Sequence, residues 1–257
     1  MQEPDGSSYV QSLARGLAVI RAFGAARPRL SLSDVARATD LTRASARRFL
    51  LTLETEGYVR LRDGMFELTP RVLELGFSYL SAQSLPEVAQ PHLEALSHAV
   101  GESSSASILD GTDIVYIARV PTRRIMSVGI TIGTRFPAYV TSMGRVLLAA
   151  LVPADLDTYF EGFQAHAFTP RTVTSVDALR TELARVREQG WSLVDGELES
   201  GLRALAVPVT RAAAVVAAIN VSMPASDADP AAQVAALLPA MQDAAAAISK
   251  DLDLLGG

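Results

Sequence analysis

The sequence contains no cysteine, one lysine and three histidines among its 257 residues. Without cysteine the chain cannot form disulfides, zinc–thiolate sites or thiol nucleophiles. The histidines are scattered, and His92 and His98 stand six residues apart on one predicted helix, which is a poor spacing for a shared metal. These absences predict a protein without a metal site and without a cofactor.

Signatures of common enzymes and of membrane insertion are also absent from the sequence. It has neither a glycine-rich dinucleotide motif nor a phosphate-binding loop. Ser142 and Arg145 have the spacing of a Ser-x-x-Lys nucleophile, but arginine does not deprotonate and so cannot act as a general base. There is no run of eighteen apolar residues and no export signal. We therefore expect a cytoplasmic protein that does not enter a membrane and is not an enzyme.

The most informative segment, residues 32–61, reads as a helix, a short turn, an arginine-rich helix and then a strand. Ser33 and Thr42 are placed to cap the helices, and Asp40 with Leu41 supplies the turn between them. An Asp-Gly pair after residue 62 favours a tight hairpin turn. The second helix carries an apolar stripe at i, i+3, i+4 and i+7, formed by Ala46, Phe49, Leu50 and Leu53. This order of elements predicts a winged helix-turn-helix.

The opposite face of the second helix combines small residues with guanidinium groups. Arginine binds phosphate, or the edge of guanine in the major groove, with two parallel hydrogen bonds, so this composition is typical of a DNA recognition helix. The residues predicted to contact DNA are Ser33, Thr42, Arg43, Ala44, Ser45, Arg47 and Arg48 in the helices, and Arg60 and Arg62 in the hairpin.

An amphipathic helix with outward arginines is more often an ordinary solvated surface, and the distribution of charge decides between the two interpretations. Ten arginines and four acidic residues give residues 12–62 a net charge of +6, whereas the whole chain carries −5. A basic segment on an acidic body indicates a local polyanion partner. We therefore predict binding to a double-stranded DNA operator.

The change in charge near residue 63 predicts two folded units. We expect a disordered arm over 1–11, the winged helix-turn-helix over 12–69, a linker helix over 70–83 and a second unit over 84–257. The linker helix is apolar around much of its circumference, at Val72, Leu73, Leu75, Phe77, Tyr79 and Leu80. It either packs on the winged helix or forms a dimer contact, and we favour the dimer because paired recognition helices match palindromic half-sites.

The second unit alternates between helical and strand patterns. Strands are predicted at Ser103–Leu109, Asp113–Arg119, Met126–Ile132, Trp191–Val194, Ala204–Val209 and Val215–Ser222, and helices at 85–100, 142–150, 153–160, 176–189 and 230–254. Strands before, between and after helices, joined by short turns, predict an α+β domain around a mainly antiparallel sheet.

Three segments of this unit place polar side chains in apolar surroundings. In residues 135–145, Thr141 and Ser142 stand at a helix start, where they form either a carboxylate site or an ordinary cap. Residues 195–203 hold carboxylates and one arginine, and we favour a structural arginine–glutamate lock over acid–base chemistry because no nucleophile or histidine is near. Asn220 and Ser222 share one face of a strand, which predicts that they line a pocket.

With these residues in place, the chain resembles the IclR family of bacterial transcription regulators from about Tyr9 to Leu252. The resemblance is carried by the first helix after Ser12, by the helix-turn-helix with its Gly57-Tyr58 exit, and by residues 190–208, which contain Trp191, Asp195, Glu199 and Pro208. Residues 141–149 and 186–199 are more narrowly similar to the subgroup that regulates aromatic-acid breakdown through the β-ketoadipate pathway, the protocatechuate and 4-hydroxybenzoate regulators.

The resemblance implies an N-terminal winged helix, a linker helix and a C-terminal GAF-like effector-binding domain, assembled as a homodimer or a dimer of dimers on DNA. It places the effector site at Ser142, Met143, Asp195, Ala204, Asn220 and Ser222. We expect a carboxylate effector at the amides and hydroxyls around Thr141 and Ser142, with Arg135 or Arg203 nearby and with its ring against Tyr139, Met126 or Met143. Glu199 completes the expected set of effector-binding residues.

Two other classes of protein remain open from the sequence. One is an enzyme that acts on a small molecule and carries an N-terminal interaction module, although a histidine or cysteine nucleophile is missing. The other is a ligand sensor that binds a protein through its arginine face. We expect the effector-controlled regulator instead.

Overall fold

The computed structural model describes residues 9–24, 26–75, 85–122, 129–225 and 229–255. The chain divides into two compact units, Met1–Ala82 and Gln83–Gly257. Of the predicted linker helix, residues 70–72 form a short 3-10 turn that Thr69 caps by accepting the Arg71 amide, and residues 73–75 are α-helical. Phe77, Tyr79 and Leu80 of that prediction lie outside the described residues.

The N-terminal unit is a winged helix-turn-helix, as predicted. Its helices are α1 (Gln11–Arg21), α2 (Leu32–Ala38) and α3 (Arg43–Thr55). The strands β1 (Arg29–Leu30), β2 (Val59–Arg62) and β3 (Met65–Leu68) form an antiparallel sheet in the order β1-β3-β2. The predicted stripe of α3 is confirmed, because Ala46 and Leu50 are fully buried while Phe49 and Leu53 pack against the same core.

The structure confirms one of the two predicted helix caps and corrects the other. Thr42 caps α3 by accepting the Ser45 amide, as expected. The cap of α2 is Ser31 and not Ser33, which is exposed within the helix. Ser31 accepts the Asp34 amide and the Asp34 carboxylate accepts the Ser31 amide, each at 3.2 Å. Ser33 has no equivalent partner because alanine stands three residues after it.

The C-terminal unit is built on an antiparallel sheet in the order β6-β5-β4-β9-β8-β7. Its strands are β4 (Ser103–Asp110), β5 (Asp113–Val120), β6 (Arg135–Pro137), β7 (Ser192–Asp195), β8 (Leu202–Arg211) and β9 (Ala214–Pro224). Its helices are α4 (Leu85–Val100), α5 (Ser142–Ala150), α6 (Pro153–Phe160), α7 (Val176–Gln189) and α8 (Pro230–Leu255). The predicted α+β class is confirmed. Residues 129–132 form no strand, and Met126 lies outside the described residues.

Helices cover both faces of this sheet. On one face α4 and α8 close a core that contains Leu93, Leu205 and Ile248. On the other face α5 lies against the sheet with Met143 and Leu148 in a second core. The sheet is therefore the middle layer, and the start of α5 projects its first residues over the centre of one face.

Helix α8 is long and apolar enough to cross a bilayer by length and composition alone. Its residues Val234, Met241, Ala245, Ile248 and Leu252 are buried against the sheet and α4. A helix that buries an apolar stripe in this way is explained as a core helix of a globular domain.

Gly144 sets the position of α5. A Cβ atom on this residue would lie 2.1 Å from the Ala138 carbonyl oxygen, in the 3-10 turn Ala138–Val140 that precedes the helix. The helix therefore approaches this turn more closely than any side chain permits.

We predict that Gly144→Ala lowers the free energy of unfolding of the C-terminal unit by about 3 kcal/mol, because α5 must move away from the turn. Urea denaturation followed by circular dichroism measures the change. Gly129→Ala is the matched control, since a Cβ there meets nothing within 4 Å. Equal stability of both variants would contradict the close approach.

Candidate functional site

The first candidate surface is the outer face of α3, defined here as Arg43, Ala44, Arg47 and Arg48. All four residues are exposed. Within the described part of the chain, none of the three guanidinium groups forms an ion pair or a hydrogen bond to another side chain. Because α3 buries its opposite side, this face presents free positive charge on a rigid helix.

The other predicted DNA contacts surround this face. Thr42 and Ser45 stand at the start of α3, where the Thr42 hydroxyl donates to the Ser45 hydroxyl at 3.0 Å. In the hairpin, Arg60 donates to Glu67 at 2.5 Å, and Arg62 lies 3.8 Å from the Asp63 carboxylate. The hydrogen bond from Arg60 holds the pKa of Glu67 below its usual value. The hairpin arginines are thus partly neutralised, whereas those of the outer face of α3 are not.

The second candidate site is a cavity between the start of α5 and the sheet, called here the α5 cavity. Its polar lining is Tyr116, Thr141, Ser142, Asn220 and Ser222. Its apolar lining consists of Val140, Val194, Leu198, Leu202 and Ala204. Thr141 caps α5 by accepting the Gly144 amide at 3.0 Å. The first turn of the helix, where backbone amides have no partner within the helix, faces this space.

Two polar atoms of the α5 cavity have no hydrogen-bond partner among the described residues. They are the hydroxyl oxygen of Ser142 and the side-chain oxygen of Asn220, and both residues are almost completely buried. The Asn220 amide nitrogen donates to the Ser222 hydroxyl at 3.0 Å. A buried polar atom without a partner is destabilising, so two on opposing walls indicate a ligand that would satisfy them.

Tyr116 adds a neutral hydroxyl to the lining. Burial raises the pKa of this residue to about 12, so it remains a phenol at physiological pH. Tyr116 was not among the predicted site residues. Alternation along the predicted strand 113–119 was the available signal, because Tyr116 faces the same side of the sheet as Asn220.

The α5 cavity is nearly closed, with a volume of about 20 Å³. That is enough for about one water molecule, whereas a cavity that holds a benzene ring is on the order of 150 Å³. Binding of an aromatic ligand therefore requires the apolar wall around Leu198 and Leu202 to move.

A wider groove of about 680 Å³ lies along α8 and β8, beside Pro208 and Lys250. It contains no predicted site residue. Of the described buried polar atoms that lack a partner, none lies in this groove. The smaller α5 cavity is therefore the better candidate for a specific ligand.

The predicted effector residues separate into those that line the α5 cavity and those that do not. Thr141, Ser142, Ala204, Asn220 and Ser222 line it. Met143 is buried beneath, where its sulfur accepts the Ser107 hydroxyl at 3.3 Å. Tyr139 turns away, since its hydroxyl donates to the His166 carbonyl at 2.7 Å and accepts the His166 amide at 2.8 Å.

The charged members of the predicted set lie elsewhere. Arg135 is exposed and pairs with Asp110 at 2.6 Å and Asp113 at 3.2 Å. Arg203 donates to Asp195 at 3.1 Å and to Gln233 of α8, on the face of the sheet opposite α5. The hydrogen bond from Arg203 holds the pKa of Asp195 below its usual value. Glu199 is half-buried and does not line the cavity.

A buried lock of arginine and glutamate is formed by Arg145 and Glu197, and Glu197 belongs to the segment where such a lock was expected. Arg145 is 2% exposed and donates to Glu197 at 2.6 Å and to the Tyr139 carbonyl at 2.9 Å. Glu197 also accepts the Val173 amide at 3.0 Å. Arg203 pairs instead with Asp195. The Arg145–Glu197 pair thereby ties α5 to the loop that contains Leu198.

The chain matches two family models that together cover most of its length. Residues 12–63 match the IclR helix-turn-helix domain, and residues 77–250 match the C-terminal region described as bacterial transcriptional regulator IclR. The Pca regulon regulatory protein of Pseudomonas putida is 43% identical over 222 residues, which cover 86% of this chain and 75% of that protein.

Two solved structures are similar over nearly the full length. A protein of Rhodococcus sp. RHA1, described as a transcriptional regulator, is 58% identical with a TM-score of 0.87, covering 96% of this chain and 100% of that one. An IclR homologue from Microbacterium hydrocarbonoxydans, crystallised with 4-hydroxybenzoate, is 27% identical with a TM-score of 0.85, covering 94% and 99%.

We predict that Glu197→Gln lowers the free energy of unfolding by about 3 kcal/mol, because it leaves the Arg145 charge buried without its main partner. Chemical denaturation measures the loss. The control is Asp157→Asn, which removes an exposed 2.6 Å pair with Arg180 and should cost less than about 1 kcal/mol. A Glu197→Gln variant as stable as this control would show that the buried pair contributes little.

Proposed function

Because the chain belongs to the IclR family of bacterial transcriptional regulators, we propose that α3 binds operator DNA and that an aromatic carboxylate in the α5 cavity controls this binding. The observation that carries the proposal is the pair of unsatisfied buried atoms on Ser142 and Asn220. They lie on opposing walls of one cavity, in the domain that accompanies the DNA-binding unit.

For DNA, the contacts we propose are those of the outer face of α3, with Thr42, Ser45 and Ser33 beside it and Arg60 and Arg62 from the hairpin. Arg43, Arg47 and Arg48 are exposed and unpaired among the described residues, so binding a duplex breaks no existing ion pair there. Arg60 must share its charge with Glu67, which favours a backbone contact over base reading at the hairpin.

For the effector, the cavity suits a flat acid that carries polar groups at both ends. Ser142 lies at the first turn of α5, where free amides and the helix dipole favour negative or polar groups. Asn220 and Ser222 offer hydrogen bonds from the sheet, and the walls between are apolar. The 4-hydroxybenzoate bound by one solved homologue and the name of the Pseudomonas putida relative support acids of aromatic catabolism, such as 4-hydroxybenzoate and protocatechuate.

We propose that the protein acts as a homodimer or a dimer of dimers. The exposed side chains of Val10, Leu13 and Leu17 form an apolar stripe along α1, and Leu73 and Leu75 expose a further apolar surface. Exposed apolar surface of this extent favours contact with a second copy. Effector binding would then change operator affinity by about 5- to 150-fold, the usual range of coupling between two sites.

The protein is proposed to act in the cytoplasm, where the operator lies, and to regulate without catalysing a reaction. All the roles assigned here are binding roles. The names of the relatives as transcription regulators support this assignment.

We predict that Arg47→Ala and Arg48→Ala each weaken operator binding by about 5- to 150-fold, because each removes a guanidinium from the groove-facing helix. Gel shifts with promoter fragments flanking the gene measure the effect.

Arg62→Ala should instead weaken binding to all DNA sequences alike. It should also reduce the slope of log affinity against log salt concentration by about one unit. Arg211→Ala, an exposed arginine of the other unit, is the neutral control. Unchanged binding by both α3 variants would refute the assignment of this face.

We predict that Ser142→Ala weakens binding of 4-hydroxybenzoate or protocatechuate about tenfold without lowering the stability of the free protein. The reason is that the Ser142 hydroxyl has no partner to lose in the free protein. Ser104→Ala is the contrasting control, since that hydroxyl donates to the Leu93 carbonyl at 3.0 Å and its loss should reduce stability but not affinity. Calorimetry that detects no heat from the wild type with 4-hydroxybenzoate, protocatechuate or β-ketoadipate would discard the effector proposal.

A further inference from the structure

Arg119, near the end of β5, faces the same side of the sheet as the α5 cavity. Ser105 of β4 stands opposite both Arg119 of β5 and Asn220 of β9 in the strand register. Residues directly opposite in an antiparallel sheet point to the same face. Arg119 is therefore two strands away from Asn220 and on the same face of the sheet, next to the lining of the α5 cavity but not part of it.

A β-bulge brings Tyr116 to this face as well. The register changes between Ala106 and Ser107, so that Ala106 pairs with Ala118 but Ser107 pairs with Tyr116. Ile117 is the extra residue, and it packs in the core on the opposite face together with Ala118. The bulge thus lets Tyr116 and Arg119, three positions apart, lie on one side of the sheet.

The contacts of Arg119 lead toward the cavity. Its Nη1 donates to the hydroxyl of Ser105 at 3.0 Å, and Ser105 is completely buried between Arg119 and Asn220. Its charge also acts on the Tyr116 hydroxyl, which lines the cavity. Arg119 is therefore next to Ser105, which borders Asn220, and next to Tyr116, which lines the cavity.

Arg119 differs from most of the described arginines of this unit, because it has no anionic partner among the described residues. Six of the others pair with carboxylates, namely Arg135, Arg145, Arg171, Arg180, Arg185 and Arg203. Arg187 donates to two backbone carbonyls, and Arg211 is exposed. Arg119 is half-buried, and this burial lowers its pKa because the charge is partly removed from water. A partly buried cation without an anion is costly to retain unless an anion binds there.

Resting on the proposed function, we propose that Arg119 is the residue that selects anionic effectors, by pairing its guanidinium with the effector carboxylate at the sheet wall of the α5 cavity. A guanidinium carries a full charge and binds a carboxylate through two parallel hydrogen bonds. The first turn of α5 offers only about half a charge. The carboxylate therefore binds at the sheet wall, and the other polar group of the effector binds at Ser142.

This assignment replaces the earlier expectation that Arg135 or Arg203 holds the carboxylate. Both of those arginines already have carboxylate partners. Arg203 also lies on the face of the sheet opposite α5.

The test compares 4-hydroxybenzoate with its neutral amide, 4-hydroxybenzamide, by calorimetry at pH 7. We expect the wild type to bind the acid about 10- to 100-fold more tightly than the amide. Arg119→Gln should abolish this preference by weakening the acid alone, with the amide changed less than about threefold. The melting temperature of the free variant should fall only slightly, because no ion pair is lost and the glutamine amide can still donate to Ser105.

The control is Arg135→Gln, which removes an exposed arginine and should leave the preference unchanged. If the wild type binds the acid and Arg119→Gln keeps its preference, the role of Arg119 is refuted while the proposed function stands. If the wild type binds neither compound, nor protocatechuate, nor β-ketoadipate, the effector class and the role of Arg119 both fail. Should the glutamine variant not fold, Arg119→Met, which keeps an apolar stem, is judged by the same criterion.

Discussion

The buried ion pair between Arg145 and Glu197 is the interaction on which the arrangement of the C-terminal site depends. Arg145 lies in α5 and also binds the carbonyl of Tyr139, while Glu197 binds the amide of Val173. One guanidinium therefore holds the start of α5, the turn before it and two loops. Because either charge would be costly if buried alone, these four segments keep a single arrangement. The position of Ser142 over the sheet follows from it.

The α5 cavity combines a small volume with two buried polar atoms that have no partner among the described residues, which is why we propose it as the effector site. Ser142 and Asn220 each forgo a hydrogen bond in the closed form, and Arg119 holds a charge near them without a counter-ion in the described structure. A ligand that satisfies these groups stabilises the open form relative to the closed one and shifts the population between them. This differential stabilisation is what an effector must supply in order to act on a second site.

Local patterns in the sequence predicted the fold well, because they depend on neighbours along the chain. The spacing of residues along the chain predicted the stripe of α3, the Thr42 cap and the antiparallel sheet. The cap of α2 was misplaced by two residues, because the reciprocal Ser31–Asp34 pair was overlooked. The charged partners could not be predicted in the same way. Arg145 and Glu197 are 52 residues apart, and the neutralisation of Arg135 by Asp110 depends on which strands meet. Arg119 was missed because a bulge alters which side chains share a face.

The bulge at Ile117 also bears on how this architecture can diversify. Deleting Ile117 would leave Tyr116 and Arg119 two positions apart, and regular alternation would then keep both side chains on the same face of the strand. A single-codon deletion at Ile117 would therefore keep both side chains on the face that they occupy while leaving every loop intact.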